Sequence, residues 1–335
     1  MKKILITGGA GFVGRRFVKY FLEKKNKVIV VDNIAKYTGG IHPKKWPMYN
    51  PFDYKNFRFI KKDCRKWFLN NKDNDFDYVL HLAAVVGGRN VIEKNPLLVA
   101  DDLSIDSHYW QWAVIAKPKK TLCFSSSACY PISLQKKESY RLLKENDVDF
   151  NSAIHAPDLS YGWSKLTCEY LARIAYEKHN LKSICYRPFS GYGEDQDLAY
   201  PFPSICKRII NNQNSKILKV WGSGRQMRDF IHIDDCVSAV IKTMDKINNG
   251  DALNLSTGKL TSFIDFTKIA CKIIGFNPKV VGVKKNPEGV FARGGDTTKQ
   301  KKLGIRHKIS LEEGIKRSFK YFLNKKELNG GLSWN

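Results

Sequence analysis

The sequence predicts an α/β fold: a doubly wound parallel sheet followed by a smaller C-terminal α/β region. Three observations carry that prediction. The N-terminal half alternates short apolar runs with amphipathic stretches, which is the pattern of βαβ units laid into a parallel sheet. The first apolar run opens directly into a glycine-rich turn, Thr7-Gly8-Gly9-Ala10-Gly11-Phe12-Val13-Gly14, with helical periodicity after it. Beyond about residue 188 the strict alternation lapses, and helical segments mix with Gly- and Asn-containing turns, as in a smaller region that covers a substrate.

Strands are expected over 3–6, 28–32, 58–61, 78–82, 121–125 and 183–187, with helices over 13–23, 97–116 and 162–179 between them. Further helices are expected over 203–212, 235–245, 262–274 and 311–323. The division that follows is a cofactor-binding domain over 1–188, a substrate-binding region over 189–325 and a loose tail over 326–335.

With 335 residues the chain can bury a sizeable core without disulfide staples. Its eight cysteines include no C-x-x-C pair, so neither a zinc knuckle nor a disulfide framework is indicated, and no metal site is expected. Met1 to Ile6 runs straight into the first strand, leaving no room for a signal peptide, and no apolar run approaches the roughly 18 residues of a membrane span. A cytoplasmic protein without a membrane partner is the expectation. The net charge of +25 is the unusual bulk property. Lysines are spread among asparagines along the whole length, without a block of five like charges or an aromatic RNA-binding pattern, so a solvated surface is favoured over a nucleic-acid face.

Gly8, Gly11 and Gly14 stand in the spacing G-x-x-G-x-x-G between a strand and a helix. Glycine permits the tight turn and lets backbone N–H groups approach a pyrophosphate, while the helix starting near Phe12 and Val13 offers its positive end to that anion. The second strand ends at Asp32, followed by Asn33, where a carboxylate can accept hydrogen bonds from a ribose diol and would repel a 2′-phosphate. NAD is therefore favoured over NADP.

Tyr161-Gly162-Trp163-Ser164-Lys165 places Tyr and Lys four apart, on one helical face. A lysine ammonium beside a phenol stabilises phenolate, so Tyr161 can deprotonate a sugar hydroxyl while NAD accepts a hydride. Phe124-Ser125-Ser126-Ser127-Ala128-Cys129-Tyr130-Pro131 follows an apolar strand, which brings its hydroxyls to the carboxyl edge of the sheet, where a serine can share the proton.

On these motifs the chain resembles the extended short-chain dehydrogenase/reductase superfamily, in its NAD-dependent epimerase/dehydratase branch acting on nucleotide-sugars, over residues 1 to about 325. The resemblance implies a Rossmann-type domain with a small C-terminal substrate domain, and Ser127, Tyr161 and Lys165 as the catalytic trio. Asp63 and Cys64 match the segment that brackets adenine, and His81-Leu82-Ala83-Ala84 the strand-four segment beside the cofactor. Arg228, in Trp221 to Asp235, looks like the arginine that binds the nucleotide diphosphate; Arg293 and Asp296 resemble a second phosphate-binding arginine and its partner acid. Paired guanidiniums suit a diphosphate because each donates two hydrogen bonds. His232 reads as structural. The helices over 97–116 and 161–178 resemble the family's dimer face, which implies a homodimer.

Which reaction follows turns on the residues after the serine. The 4,6-dehydratases and decarboxylases of the family carry a glutamate there; this chain has Ala128-Cys129, which removes the acid/base of those reactions. Val85-Val86-Gly87-Gly88-Arg89 with Ser126 to Cys129 looks most like the GDP-mannose 3,5-epimerase and GDP-fucose synthase group, whose cysteine works as acid/base beside a ketone. Two positions depart from that group: the lysine that pairs with the cysteine is replaced near Tyr200, and Ser190 stands for the family's Asn in R-x-x-N-x-Y-G. The expectation is an epimerase working through a transient 4-keto sugar on a GDP- or UDP-linked substrate, inverting C4, or C3 or C5 beside the ketone. A net 4-dehydrogenase or reductase stays open as the alternative, and behind it a non-catalytic NAD- or nucleic-acid-binding protein.

Overall fold

The computed structural model describes residues 1–35, 38–71, 73–283 and 289–328; the glycine-rich end of the tail lies outside them. The large sheet is built from β1 (Lys3–Thr7), β2 (Lys27–Asp32), β3 (Phe57–Lys61), β4 (Tyr78–His81), β5 (Thr121–Phe124) and β6 (Ser183–Pro188). After β7 (Ser190–Tyr192), β8 (Ile217–Trp221) and β9 (Met227–His232), a seventh strand, β10 (Asn249–Leu255), joins it. The order is β10-β6-β5-β4-β1-β2-β3 with every pair parallel. Thr7 registers with Val31 and His81, so Gly8, Asp32 and Leu82 leave the sheet side by side at its carboxyl edge.

Alternation along each strand sends side chains to two faces. Ile4, Ile6, Val28, Val30, Leu80, Leu122 and Ile184 pack with α1 (Phe12–Glu23) through Phe17, Val18 and Phe21. Leu5, Ile29, Val31, Val79, Cys123 and Cys185 point the other way. They meet α2 (Cys64–Asn70), then, past the short helices α3 (Arg89–Lys94) and α4 (Pro96–Val99), α5 (Asp101–Ala116) and α6 (Leu159–His179). Sheet strands buried on both faces must be apolar throughout, which is why they were legible.

The C-terminal half adds α7 (Pro201–Asn211), α8 (Ile233–Thr243), β11 (Leu260–Ser262), α9 (Phe263–Ile273), β12 (Lys279–Val283), β13 (Ala292–Arg293), α10 (Thr298–Lys302) and α11 (Leu311–Leu328). The boundary expected at residue 188 is crossed: α8 packs on the same sheet face as α1, and β10 extends the sheet, because their apolar sides fit the large core. The helix expected to end at 323 runs on to Leu328, into the expected tail. A separate core of Tyr192, Phe202, Phe230, Phe263, Phe266, Ile315 and Phe319 gathers α7, α9 and α11 around the small strands.

Buried ion pairs tie these parts together. Arg15 and Arg16 of α1 reach Asp195 at 3.0 and 2.6 Å. His232 accepts a bond from Asp234 N at 3.2 Å and so caps α8, a structural role. Arg187 makes a two-pronged pair with Glu169 of α6 at 2.9 and 2.6 Å, and donates to the Glu145 carbonyl at 2.9 Å. Removing one partner leaves the other charge stranded without water. Glu169→Ala is expected to lower stability by about 3–5 kcal/mol in equilibrium urea unfolding, and a loss under about 1 kcal/mol would show the pair to be dispensable.

Candidate active site

The glycine turn is a backbone cradle. Gly8 has φ of +70°, and a Cβ there would sit 2.6 Å from the Leu82 carbonyl carbon and the Ala83 nitrogen, so the turn lies flat against the chain leaving β4. A Cβ on Gly14 would sit 2.5 Å from Gly9 Cα, which fixes α1 against the turn. Gly11 differs: a Cβ there would meet only the Gly8 oxygen, at 3.3 Å, and Gly11 caps α1 without a side chain. The first turn of α1, starting at Phe12 and Val13, thus presents its N–H end with nothing bulky in front, which suits a pyrophosphate.

Asp32 stands beside this cradle and helps build it. Its carboxylate accepts from Ala10 N at 3.0 Å and Ile34 N at 2.7 Å. Burial raises its pKa, and the two N–H donors and Arg15 work against that rise. Asn33 is exposed and accepts from Ala35 N at 3.1 Å, shaping the turn after β2. Asp63 caps α2 through Arg65 N at 2.9 Å and pairs with the Arg65 guanidinium at 2.7 Å, which lowers its pKa. The neighbouring Cys64 thiol is buried and pushed up to about 12 by that burial. Leu82, Ala83 and Ala84 run half-buried past Gly8, with Leu82 N donating to Thr7 O at 3.0 Å.

Tyr161 and Lys165 lie one turn apart at the start of α6, with Lys165 Nζ 5.6 Å from the phenol ring centre. Gly162 makes this possible: a Cβ there would strike the Ala128 oxygen at 2.5 Å, so the helix presses against the serine turn. Burial raises the Tyr161 pKa, while the Lys165 charge and a hydrogen bond with the Ser126 side chain pull it down. Burial works against the Lys165 charge, but Asp102, Asp106 and Tyr161 outweigh it and hold its pKa above the ordinary lysine value.

The hydroxyl paired with the phenol is that of Ser126, which is partly exposed and also caps the Ser127–Cys129 turn by accepting from Ala128 N at 3.1 Å. Ser127 is buried one residue on. Neighbouring residues leaving a strand point to opposite sides, so a shift of one residue changes which hydroxyl meets the phenol. Cys129 is 1% exposed, in a core with Tyr130, Leu143, Leu166 and Phe189. Burial pushes its thiol far up, and Arg187, Glu169 and Ser125, rather than Tyr161 or Lys165, are its polar neighbours. It also lines a cavity of about 300 Å³ with Leu134, Arg141 and His155.

Three arginines gather nearby. Arg89 Nη1 donates to both Asp158 oxygens at 2.9 and 2.8 Å, and Arg293 donates to Asp158 Oδ2 at 2.8 Å and to Gln135 Oε1 at 2.6 Å. Arg228 donates to the carbonyls of Met227 and Val290 at 2.7 and 3.0 Å. A Cβ on Gly289 would lie 3.4 Å from Arg89 Cζ and 3.5 Å from Arg228 Nη2. Burial, then repulsion from Arg293 and Arg89, pushes the Arg228 pKa down to about 9. An arginine stays protonated under ordinary conditions, so that stress is one an entering anion relieves.

The partner acid of Arg293 is therefore Asp158, not Asp296. Asp296 accepts from Thr298 N at 2.8 Å and starts α10, its side chain committed to that turn. Val86 and Gly87 lead to Gly88, which caps α3; a Cβ on Gly88 would strike the Ala199 oxygen at 2.4 Å, so the chain before Tyr200 crosses this loop. Tyr200 is close enough to Tyr161 for their charges to interact. Ser190 pairs with Phe230 across β7 and β9, at the junction of the large and small sheets. Asp158, Gln135 and Asp102 were missed by sequence reasoning, and of these only Asp158 left a signal, as an acid at a helix start; Ser126 lay in the serine run that was singled out, where the resemblance pointed to Ser127. Among the described residues no His/Cys/Asp/Glu group can hold a metal, and no helix is long and apolar enough to cross a membrane.

A family model described as the NAD dependent epimerase/dehydratase family matches residues 4–256. A putative UDP-glucose 4-epimerase of Methanocaldococcus jannaschii is 29% identical over 96% of this chain and 98% of its own length. A GDP-L-colitose synthase of Yersinia pseudotuberculosis is 23% identical over 97% and 99%. Among solved structures, the UDP-glucose 4-epimerase of Thermotoga maritima, determined with UDP-glucose, superposes with a TM-score of 0.80 at 25% identity, covering 96% of this chain and 99% of its own. Given the Asp32 geometry, Asp32→Ala is expected to weaken NAD binding about ten- to a hundredfold in calorimetric titration, and unchanged affinity would exclude a ribose contact. The glycine cradle, Asp32 and the Tyr161–Lys165 pair all fall within the matched span, and the chain belongs to the NAD dependent epimerase/dehydratase family.

Proposed function

We propose that the protein is a nucleotide-sugar 4-epimerase that oxidises and re-reduces C4 of its substrate. The observation that carries this reading is the Tyr161 phenol, set between the Ser126 hydroxyl and the Lys165 ammonium, while the Cys129 thiol is sequestered in the core. Residues 189–325, apart from the excursion of α8 and β10 into the large sheet, form the substrate-binding region in this reading. Gly8, Gly11, Gly14 and Asp32 would hold NAD, which supplies the acceptor for the C4 hydride and its return.

Tyr161 takes the C4 hydroxyl proton as the ketone forms, and Ser126 shares the hydrogen bond to that oxygen. Lys165 stabilises the phenolate that takes this proton, and between the two halves of the cycle Tyr161 holds it as the neutral phenol. Arg228 and Arg293 grip the diphosphate, Arg89 adds positive potential, and the hexose turns about this fixed anchor to present its other face. Tyr161 then returns the proton as the hydride comes back to C4 on its other face, so net redox is zero. The UDP-linked relatives support a UDP-sugar. Chemistry at C3 or C5 would need a thiol beside the ketone, and Cys129 lies elsewhere.

The homodimer suggested by the helices has support in exposed apolar side chains on α5 and α6: Leu103, Ile115, Trp163 and Tyr170, the last two on one face of α6, two turns apart. Trp163→Glu is expected to shift the protein from dimer to monomer in sedimentation velocity. On a panel of UDP- and GDP-sugars in deuterated water, C4 inversion without solvent deuterium is expected; deuterium at C3 or C5 would overturn the C4 assignment. Tyr161→Phe is expected to lower kcat by about 10²–10⁴-fold, and full turnover in that variant would sink the mechanism.

A further inference from the structure

A second set of charges is buried beside Lys165, outside the groups assigned so far. Asp102 and Asp106 lie one turn apart on α5, on the side facing α6 and β4. Asp102 Oδ1 accepts from Val85 N, while Oδ2 has no hydrogen-bond partner and faces Lys165 Nζ at 3.6 Å. Asp106 Oδ1 is 3.1 Å from His81 Nε2, whose Nδ1 is 2.8 Å from Thr7 Oγ1; Asp106 Oδ2 also has no partner. The two aspartates are 1% and 2% exposed.

A carboxylate oxygen without a hydrogen bond in a dry interior is costly, and packing alone would be served by an apolar side chain. What the arrangement provides is negative charge within reach of the ammonium that Tyr161 relies on. We propose that Asp102, backed by Asp106, is a positioning residue: it holds the Lys165 ammonium in place and, by offsetting its charge, makes the Tyr161 phenol a weaker acid than Lys165 alone would. This rests on the reading of Tyr161 as the proton-transfer group.

The charged and titratable groups around the pair come from every packed element: Asp106 on α5, His81 on β4, Tyr161, Lys165 and Cys168 on α6, and Tyr200 before α7. Burial raises the Asp102 carboxyl to about 6, with Lys165 pulling the other way. Above that pH Asp102 is ionised and its charge offsets that of Lys165 beside the phenol.

The test is Asp102→Asn, whose amide oxygen still accepts from Val85 N. In the NAD-loaded protein without sugar, ζ-carbon-labelled tyrosine NMR reads the Tyr161 titration, assigned by its loss in Tyr161→Phe. The midpoint is expected to fall by about one pH unit, with the acid limb of kcat/KM for epimerisation following it, and Asp102→Glu restoring both. An unchanged or higher midpoint in a folded Asp102→Asn protein overturns the proposal. Should that variant be too unstable to label, Asp106→Asn must move the midpoint the same way by a smaller amount, and no movement there overturns the proposal equally. Because the NMR needs no turnover, a failure of the epimerase assignment is told apart from a failure of this coupling.

Discussion

The site depends on two places where bare backbone meets backbone. At Gly8 the cofactor turn lies against the chain leaving β4, and at Gly162 the start of α6 lies against the serine turn. A methyl group at either place would demand a shift of backbone, which no side-chain rotamer can absorb. These contacts set the distance between the cradle and the Tyr161–Lys165 pair. Everything chemical is arranged around a gap that two missing side chains define.

Electrostatics fills the frame that packing creates. Arg187 is satisfied by Glu169 and is structural, whereas Arg89 and Arg293 share Asp158, Arg89 also pairs with Glu93, and both arginines repel the buried Arg228. The same residue type therefore has opposite meanings in two parts of the molecule. A buried pair closed on itself stiffens the fold, and a cluster with more arginines than acids attracts an anion.

Much of this was legible in the amino-acid order because it is local. Strands buried on both faces must be apolar runs, the glycine spacing is a backbone requirement, and Tyr161 and Lys165 meet through helical periodicity alone. What could not be read depends on distant partners. Asp158 meets Arg89 and Arg293 from far along the chain, whereas Asp296, which the resemblance paired with Arg293, accepts from Thr298 N. The choice between Ser126 and Ser127 depends on where β5 stops alternating, and α8 and β10 rejoin the large sheet after the alternation has lapsed.

The pairing of Arg15 and Arg16 with Asp195 joins the helix that heads the cofactor cradle to the segment that follows β7. Separating them would expose stranded charge in a dry interior, and the return of the chain through α8 and β10 closes the same seam from the other side. The two halves of the molecule are thus latched rather than hinged. A latch of this kind keeps the glycine cradle on one half and the arginines of the other at one fixed separation, so the span between them is a property of the fold and is present before anything binds.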